Sequence, residues 1–282
     1  MRVWVTGASG LLGNALLRVL RNQEIPFAGS LRRHADITNI DSIASFCREY
    51  GPFTHIINCA AYTAVDLAEA HPEEARRANA LGPSLLGLFA AHANMRLVHV
   101  STDYVFDGKG SRPYREDDPV VPETIYGQTK AEGERRLVAL FPKACIVRAS
   151  WLFGREGKSF VSAMVKKMTE CAEVRVVSDQ RGRPTFADDL ALWLLKLANQ
   201  SGIFHVANQG ETTWYQFAEE IRNLYQTKCE KIIPVTTAEF GLPTKRPLYS
   251  VLDTEKVERM FEPLPSWKDR LRELLCDPLP IS

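Results

Sequence analysis

The sequence lacks most of the features that would take it outside an ordinary globular fold. It has almost no net charge: Lys and Arg total 35, Asp and Glu total 34, and the formal charge is +1. Without a net positive field to hold a polyanion, nucleic acid is excluded as the expected partner. The basic doublets Arg32-Arg33, Arg76-Arg77, Arg135-Arg136 and Lys166-Lys167 are scattered, mostly with acids nearby, as on solvated helix faces. Long hydrophobic runs are missing. Leu85 to Ala93 is far short of the ~18 residues of a membrane span, so no membrane is expected as partner. The apolar run Val3 to Val5 meets a glycine-rich turn at once and does not read as a signal peptide. Cysteine is sparse. Cys47, Cys59, Cys145, Cys171, Cys229 and Cys276 form no C-x-x-C pair and read as reduced thiols of a cytoplasmic protein. None of His34, His55, His71, His92, His99 and His205 pairs with another at i, i+3 or i+4, so no metal site is expected. There is no internal repeat and no low-complexity tract.

What is present is a chain of 282 residues, 45% hydrophobic and 24% charged. At roughly 150 residues per domain this suggests about two structural units. The first half alternates β-rich runs with amphipathic stretches. Arg2 to Thr6, Pro26 to Ser30, His55 to Ala60 and Arg96 to Val100 read as strands, and Leu11 to Arg21, Ile40 to Tyr50 and Pro72 to Asn94 as helices. Strand, helix, strand repeated in this way implies an α/β fold: a doubly wound parallel sheet of the Rossmann type, with a smaller α/β carboxyl-terminal domain. The expected division assigns about 1–148 plus 172–200 to dinucleotide binding and about 149–171 plus 201–282 to substrate binding. Glycine and proline cluster at Asp107 to Pro122, Gln180 to Pro184 and Glu239 to Pro247, which read as loops that are functional or carry small local elements. The tail, Asp277 to Ser282, is expected at the surface or frayed.

Three motifs carry chemistry. Gly7-Ala-Ser-Gly10-Leu-Leu-Gly13 follows a strand and opens a helix, so Gly7, Gly10, Leu11, Leu12 and Gly13 would cradle a pyrophosphate against free N–H groups and a positive dipole end. An acid ~20 residues on would bond the ribose hydroxyls of NAD. Ser30 stands there instead, followed by Arg32 and Arg33, and a hydroxyl with two guanidiniums attracts a 2′-phosphate. The expected cofactor is therefore NADPH, with NADH the alternative. Asp36 could accept from the adenine amino group or cap the next helix. In Tyr126-Gly-Gln-Thr-Lys130 the i, i+4 spacing puts phenol and ammonium on one helix face. A nearby cation favours phenolate and suits Tyr126 to proton exchange with a carbonyl or alcohol oxygen. A third polar group comes from Ser101-Thr102-Asp103, where a parallel strand meets the ligand crevice; on its own this would read as a turn closing a strand.

Together, G-x-x-G-x-x-G, S-T-D-Y-V-F and Y-G-x-T-K resemble the extended short-chain dehydrogenase/reductases that act on nucleotide sugars. Nearly the whole chain is similar to their dTDP-4-dehydrorhamnose reductase family. Further matches are Thr63-Ala-Val-Asp66-Leu-Ala-Glu69, Arg148-Ala-Ser-Trp151-Leu-Phe-Gly154, Asp179-Gln-Arg-Gly-Arg-Pro184-Thr185, Gly202-Ile-Phe-His205-Val-Ala-Asn208, Thr212-Thr-Trp214-Tyr and Lys245-Arg246-Pro247. The resemblance implies that Gly10, Leu11 and Leu12 meet the pyrophosphate, Asp36 and Ile37 the adenine, and Ala61, Tyr62 and Thr63 the nicotinamide side. It implies catalytic roles for Thr102, Tyr126 and Lys130, and places Thr102, Asp103, Trp151 and Arg246 against a dTDP-sugar substrate. Trp151 and Trp214 could equally be core aromatics. Ala15 stands where some relatives carry a glutamate that bridges subunits through a metal, so either a monomer or a homodimer is expected. The chain is also similar to the regulatory subunit of methionine adenosyltransferase, which implies a non-catalytic, dinucleotide-binding partner as the alternative function.

Overall fold

Six short apolar runs pair in parallel into one sheet in the computed structural model, which describes residues 1–241 and 243–276. Numbered along the chain, they are β1 (Val3–Thr6), β2 (Phe27–Ser30), β3 (His55–Asn58), β4 (Arg96–Thr102), β5 (Cys145–Ala149) and β6 (Gly202–His205), and they lie side by side in the order 6-5-4-3-1-2. Every residue of β1, β3 and β5 is buried, as expected of strands covered on both faces. One face packs on the first helix (Leu11–Asn22) and the Ala187–Lys196 helix, through Leu16, Leu20, Leu190 and Leu194. The other packs Trp4, Phe46, Ile56, Leu86 and Leu137. The chain runs from β1 to β2 on one side and returns to β3 on the other, so the winding reverses between β1 and β3. The carboxyl ends of those strands open a crevice there.

The local elements follow the periodicity, with two differences. β4 runs through Ser101 and Thr102, because these residues pair with Arg148 and Ala149 of β5 instead of turning away. The expected helix from Pro72 to Asn94 is interrupted by a π turn, Arg77–Leu81. Pro83 has no N–H for the carbonyl of Asn79. The Ile125–Leu140 helix closes on that carbonyl at Gly133, where an added Cβ would lie 2.0 Å from it.

A second apolar core gathers Phe153, Val161, Met168, Val174, Phe217, Ile232, Trp267 and Leu271. The strands do not divide along the expected boundaries. Glu173–Val177 pairs with Lys231–Val235 in a separate two-stranded sheet, whereas β6 joins the central sheet through β5. The tail from Asp277 lies outside the described residues. Among the described residues no helix is long and apolar enough to cross a membrane.

A buried ion pair fastens the Ile125–Leu140 helix to the sheet. Arg148, 1% exposed, donates through Nε and a terminal nitrogen to the Glu134 carboxylate at 2.9 and 2.7 Å and lies over the Phe106 ring. Beside it, burial and the Arg148 charge push His205 down to about 3, so its imidazole is neutral. Breaking such a pair strands a charge at a cost of about 3–5 kcal/mol, whereas apolar replacement of both partners is far milder. Arg148→Met is therefore expected to lower the urea midpoint sharply, and the double variant Arg148→Met/Glu134→Leu to recover most of the loss. A double variant no more stable than the single one would refute this account.

Candidate active site

The crevice at the carboxyl ends of the strands is a cavity of about 1080 Å³. Its floor begins at the glycine turn. Gly7 is left-handed (φ +64°), and an added Cβ would lie 2.7 Å from the Ala60 nitrogen; at Gly13 one would lie 2.2 Å from the Gly7 carbonyl. Only glycine lets these segments touch. The helix that follows has no side-chain cap and no acidic residue in its first turn. Its first N–H groups, at Leu11, Leu12 and Gly13, have no acceptor within the helix and offer an anion a site. Behind the turn, Thr6 Oγ1 donates to Asn58 Oδ1 at 2.6 Å, and Asn58 Nδ2 hydrogen-bonds His99 Nδ1 at 2.9 Å. Burial, with the Lys130 charge, holds His99 well below its usual pKa.

The end of β2 differs in part from expectation. Ser30 does not line the cavity: side chains alternate along a strand, and this one turns to the other face, where its hydroxyl accepts from Trp4 Nε1 at 2.8 Å. Arg33 is exposed, outside the cavity, and donates to His34. Arg32 does line the cavity and lies 3.6 Å from Asp36. Asp36 is not the helix cap. Asn39 is, accepting from Asp41 N and Ser42 N, while Asp36 accepts from Thr38 N and Oγ1 at 2.9 and 2.8 Å. Asp36, Ile37, Ala61, Tyr62 and Thr63 all line the cavity.

At the far end of the cavity the three separate stretches meet. Tyr126 and Lys130 line it together from the Ile125–Leu140 helix, which Thr124 caps by accepting from Gly127 N at 3.0 Å. Gly127 is the residue that fits here, since an added Cβ would lie 2.2 Å from the Tyr104 carbonyl. Thr102 ends β4 and lines the cavity with Tyr126, and its hydroxyl donates to Asp103 Oδ1 at 3.0 Å. Asn79, presented by the π turn, accepts from Tyr62 N at 2.8 Å and donates to Thr129 Oγ1 at 3.1 Å, tying cavity wall to helix.

The electrostatics correct one expectation. Lys130 does not lower the Tyr126 pKa: burial pushes the phenol up to about 12, and the Asp103 charge adds to the rise. The Lys130 ammonium, 2% exposed, donates instead to the Val100 carbonyl at 2.6 Å, and burial brings it down to about 8. Burial also pushes Asp103 up to about 6.

Trp151 lines the cavity in a left-handed conformation (φ +49°), strained for a bulky residue. It is held by stacking on Trp214 at 3.5 Å and by Gly182, where a Cβ would lie 2.4 Å from the indole. Both tryptophans border the second core and both face the cavity, so neither is purely core. Arg246 is not in the cavity wall; Asp66 holds its guanidinium at 2.8 Å. Glu74, Arg77 and Lys158 line the cavity although no motif marks them. Their signal was only that of charged residues without a patterned partner.

Residues 1–278 match the model of the RmlD substrate binding domain family. The chain is 40% identical to a probable dTDP-4,6-dihydroxy-2-methyloxan-3-one 4-ketoreductase of Streptomyces antibioticus, over 98% of this chain and 95% of the relative. It is also 40% identical to a dTDP-4-dehydrorhamnose reductase of Streptomyces griseus, over 95% and 91%. The solved structure of dTDP-4-dehydrorhamnose reductase from Bacillus anthracis in complex with NADP superposes with a TM-score of 0.93 at 37% identity, covering 98% of this chain and 99% of that one. The match spans glycine turn, sheet and second core alike, and the chain belongs to the RmlD substrate binding domain family.

Proposed function

We propose that this chain is an NADPH-dependent sugar-nucleotide 4-ketoreductase that converts dTDP-4-dehydro-L-rhamnose to dTDP-L-rhamnose. One observation carries the reading: Thr102, Tyr126 and Lys130 converge in the cavity that starts at the glycine turn. The cavity also fits a dinucleotide. Glycines at positions 7 and 13 let the backbone close into the tight turn that borders it, and the adjoining helix terminus carries no carboxylate to repel phosphate. In this reading Gly7, Gly10, Leu11, Leu12 and Gly13 hold the pyrophosphate, Asp36 and Ile37 the adenine, and Ala61, Tyr62 and Thr63 the nicotinamide side. Arg32 alone remains of the 2′-phosphate site expected from the sequence, in a cavity whose β2 edge carries no acid in place of Ser30. The Bacillus anthracis reductase, solved in complex with NADP, adds support for this cofactor. The central sheet would serve the dinucleotide, and the segments forming the second core would carry the sugar nucleotide. The free thiols Cys47, Cys59, Cys145, Cys171 and Cys229 fit a reducing cytoplasm.

A bound reduced nicotinamide supplies the hydride for the 4-keto carbon. Tyr126, a neutral phenol with its pKa near 12, is protonated at working pH and donates to the oxygen that gains charge. The Lys130 ammonium orients the nicotinamide ribose and offsets charge left on the phenol. Thr102 holds the carbonyl oxygen against the phenol, and Asp103 and Trp151 contact the sugar. A purely regulatory role is not favoured, because the chain is 40% identical to a dTDP-4-dehydrorhamnose reductase over 95% of its length.

Purified protein is expected to oxidise NADPH with dTDP-4-dehydro-L-rhamnose faster than with the UDP- or GDP-linked keto sugars, and faster than it oxidises NADH; silence with every keto sugar would sink the proposal. Tyr126→Phe is expected to cut kcat by about 10²-fold or more while NADPH binding is retained. A fully active variant would remove Tyr126 from the chemistry. Because burial brings Lys130 down to about 8, its charge is present below that pH and lost above it. Reductive turnover should therefore hold through neutral pH and fall as pH rises through about 8. A flat profile to pH ~10, the unperturbed lysine range, would contradict the role of the charge.

A further inference from the structure

One of the glycine- and proline-rich loops, Gln180 to Pro184, runs beside the cavity without lining it. It nevertheless touches both tryptophans that do. Gly182 lies under the Trp151 indole, and Gln180 Oε1 accepts from Trp214 Nε1 at 3.1 Å. Pairing fixes the backbone of this loop: Arg181 and Gly182 lie opposite Thr213 and Thr212, and Arg181 N donates to the Leu248 carbonyl at 2.8 Å.

Donor counting fixes the Gln180 amide. An indole N–H only donates, so the amide oxygen faces it. The amide nitrogen donates to Thr237 Oγ1 at 3.0 Å, and the single Thr237 hydroxyl proton goes to Asp179 Oδ1 at 2.7 Å. Thr237 N also donates to both Asp179 oxygens, at 3.0 and 2.9 Å. Every bond in the series points from the Trp214 ring towards a carboxylate, and a flipped amide would break two of them. Gln180 is 3% exposed, so little water competes for these bonds. Thr213 caps the Trp214–Leu224 helix, accepting from Gln216 N at 3.1 Å, and this holds the Trp214 backbone. The ring plane is left to the side-chain torsions, and Nε1 is its one polar handle. That plane sets where Trp151 lies, because the two rings stack at 3.5 Å and 6° from parallel.

We propose that Gln180 is a positioning residue: its amide fixes the plane of Trp214, and through it the Trp151 indole that meets the sugar of the substrate. The inference rests on the reductase reading, in which Trp151 contacts that sugar. The test compares wild type with Gln180→Met, Thr237→Val, Trp214→Phe and the double variant Gln180→Met/Trp214→Phe. Gln180→Met keeps the side-chain length but offers Trp214 no oxygen. Thr237→Val frees the amide from its other end, at a partly exposed position that tolerates change, and carries the same measurement if Gln180→Met does not fold. Gln180→Met should raise KM for dTDP-4-dehydro-L-rhamnose about five-fold, and Thr237→Val should raise it in the same direction. In both, kcat and the KM for NADPH should stay within about two-fold of wild type, since the platform holds ground state and transition state alike. The circular-dichroism couplet of the stacked indoles, present in wild type and absent from Trp214→Phe, should weaken in both. Trp214→Phe keeps a ring without the N–H, so adding Gln180→Met to it should leave KM unchanged. A further rise in the double variant would show Gln180 acting on the fold and not through Trp214, and would overturn the proposal. Wild-type KM and couplet in both Gln180→Met and Thr237→Val would overturn it too. Wild type that reduces no keto sugar would instead overturn the reductase reading, and this inference with it.

Discussion

The site is organised around one charge held out of water. The Lys130 ammonium is almost wholly buried, and among the described residues its one hydrogen bond runs to the Val100 carbonyl near the end of β4. Desolvating an ammonium costs several kcal/mol even after relaxation, so a residue persists in this state only where the surrounding structure holds it. Here that structure is the carboxyl end of the interior strand β4 on one side and a helix pinned through Glu134 and Arg148 on the other. The same placement sets Tyr126 one turn away and Thr102 two residues past Val100, so that a buried charge and a buried phenol share one wall of the crevice.

Around that charge the walls are joined rather than merely adjacent. Asn79 bonds the Tyr62 backbone and the Thr129 hydroxyl at once, and the π turn is what brings its side chain to both. On the opposite wall, Trp151 is kept in a strained conformation by the face of Trp214 and the bare backbone of Gly182. Strain of about 1–3 kcal/mol persists where neighbours over-determine it, and here it aims an indole into the cavity.

Much of this was legible in the sequence because the geometry is local. The glycine turn and the Tyr126/Lys130 pair each lie within one turn or one helix, so spacing alone places them. The misreadings are long-range. Ser30 stands at the expected offset, but strand parity turns its hydroxyl to Trp4 on the other face. Thr102 belongs to β4 because β5 pairs with it, a partner that is distant in sequence. β6 joins the central sheet by the same kind of distant pairing. The lowered phenol pKa follows from spacing if the lysine faces the ring, but burial outweighs it and the ammonium is bonded elsewhere. Arg246, expected against the substrate, is held by Asp66, distant in sequence, and lies outside the cavity wall.

Central to the account is hydride delivery to a sugar carbonyl held against Tyr126. The most direct measurement is turnover with NADPH deuterated at the transferring position, with the product sugar read by NMR. Deuterium at C4 of dTDP-L-rhamnose, absent from the other ring carbons, is the predicted result. Unlabelled product, or label at any other carbon, would contradict the account.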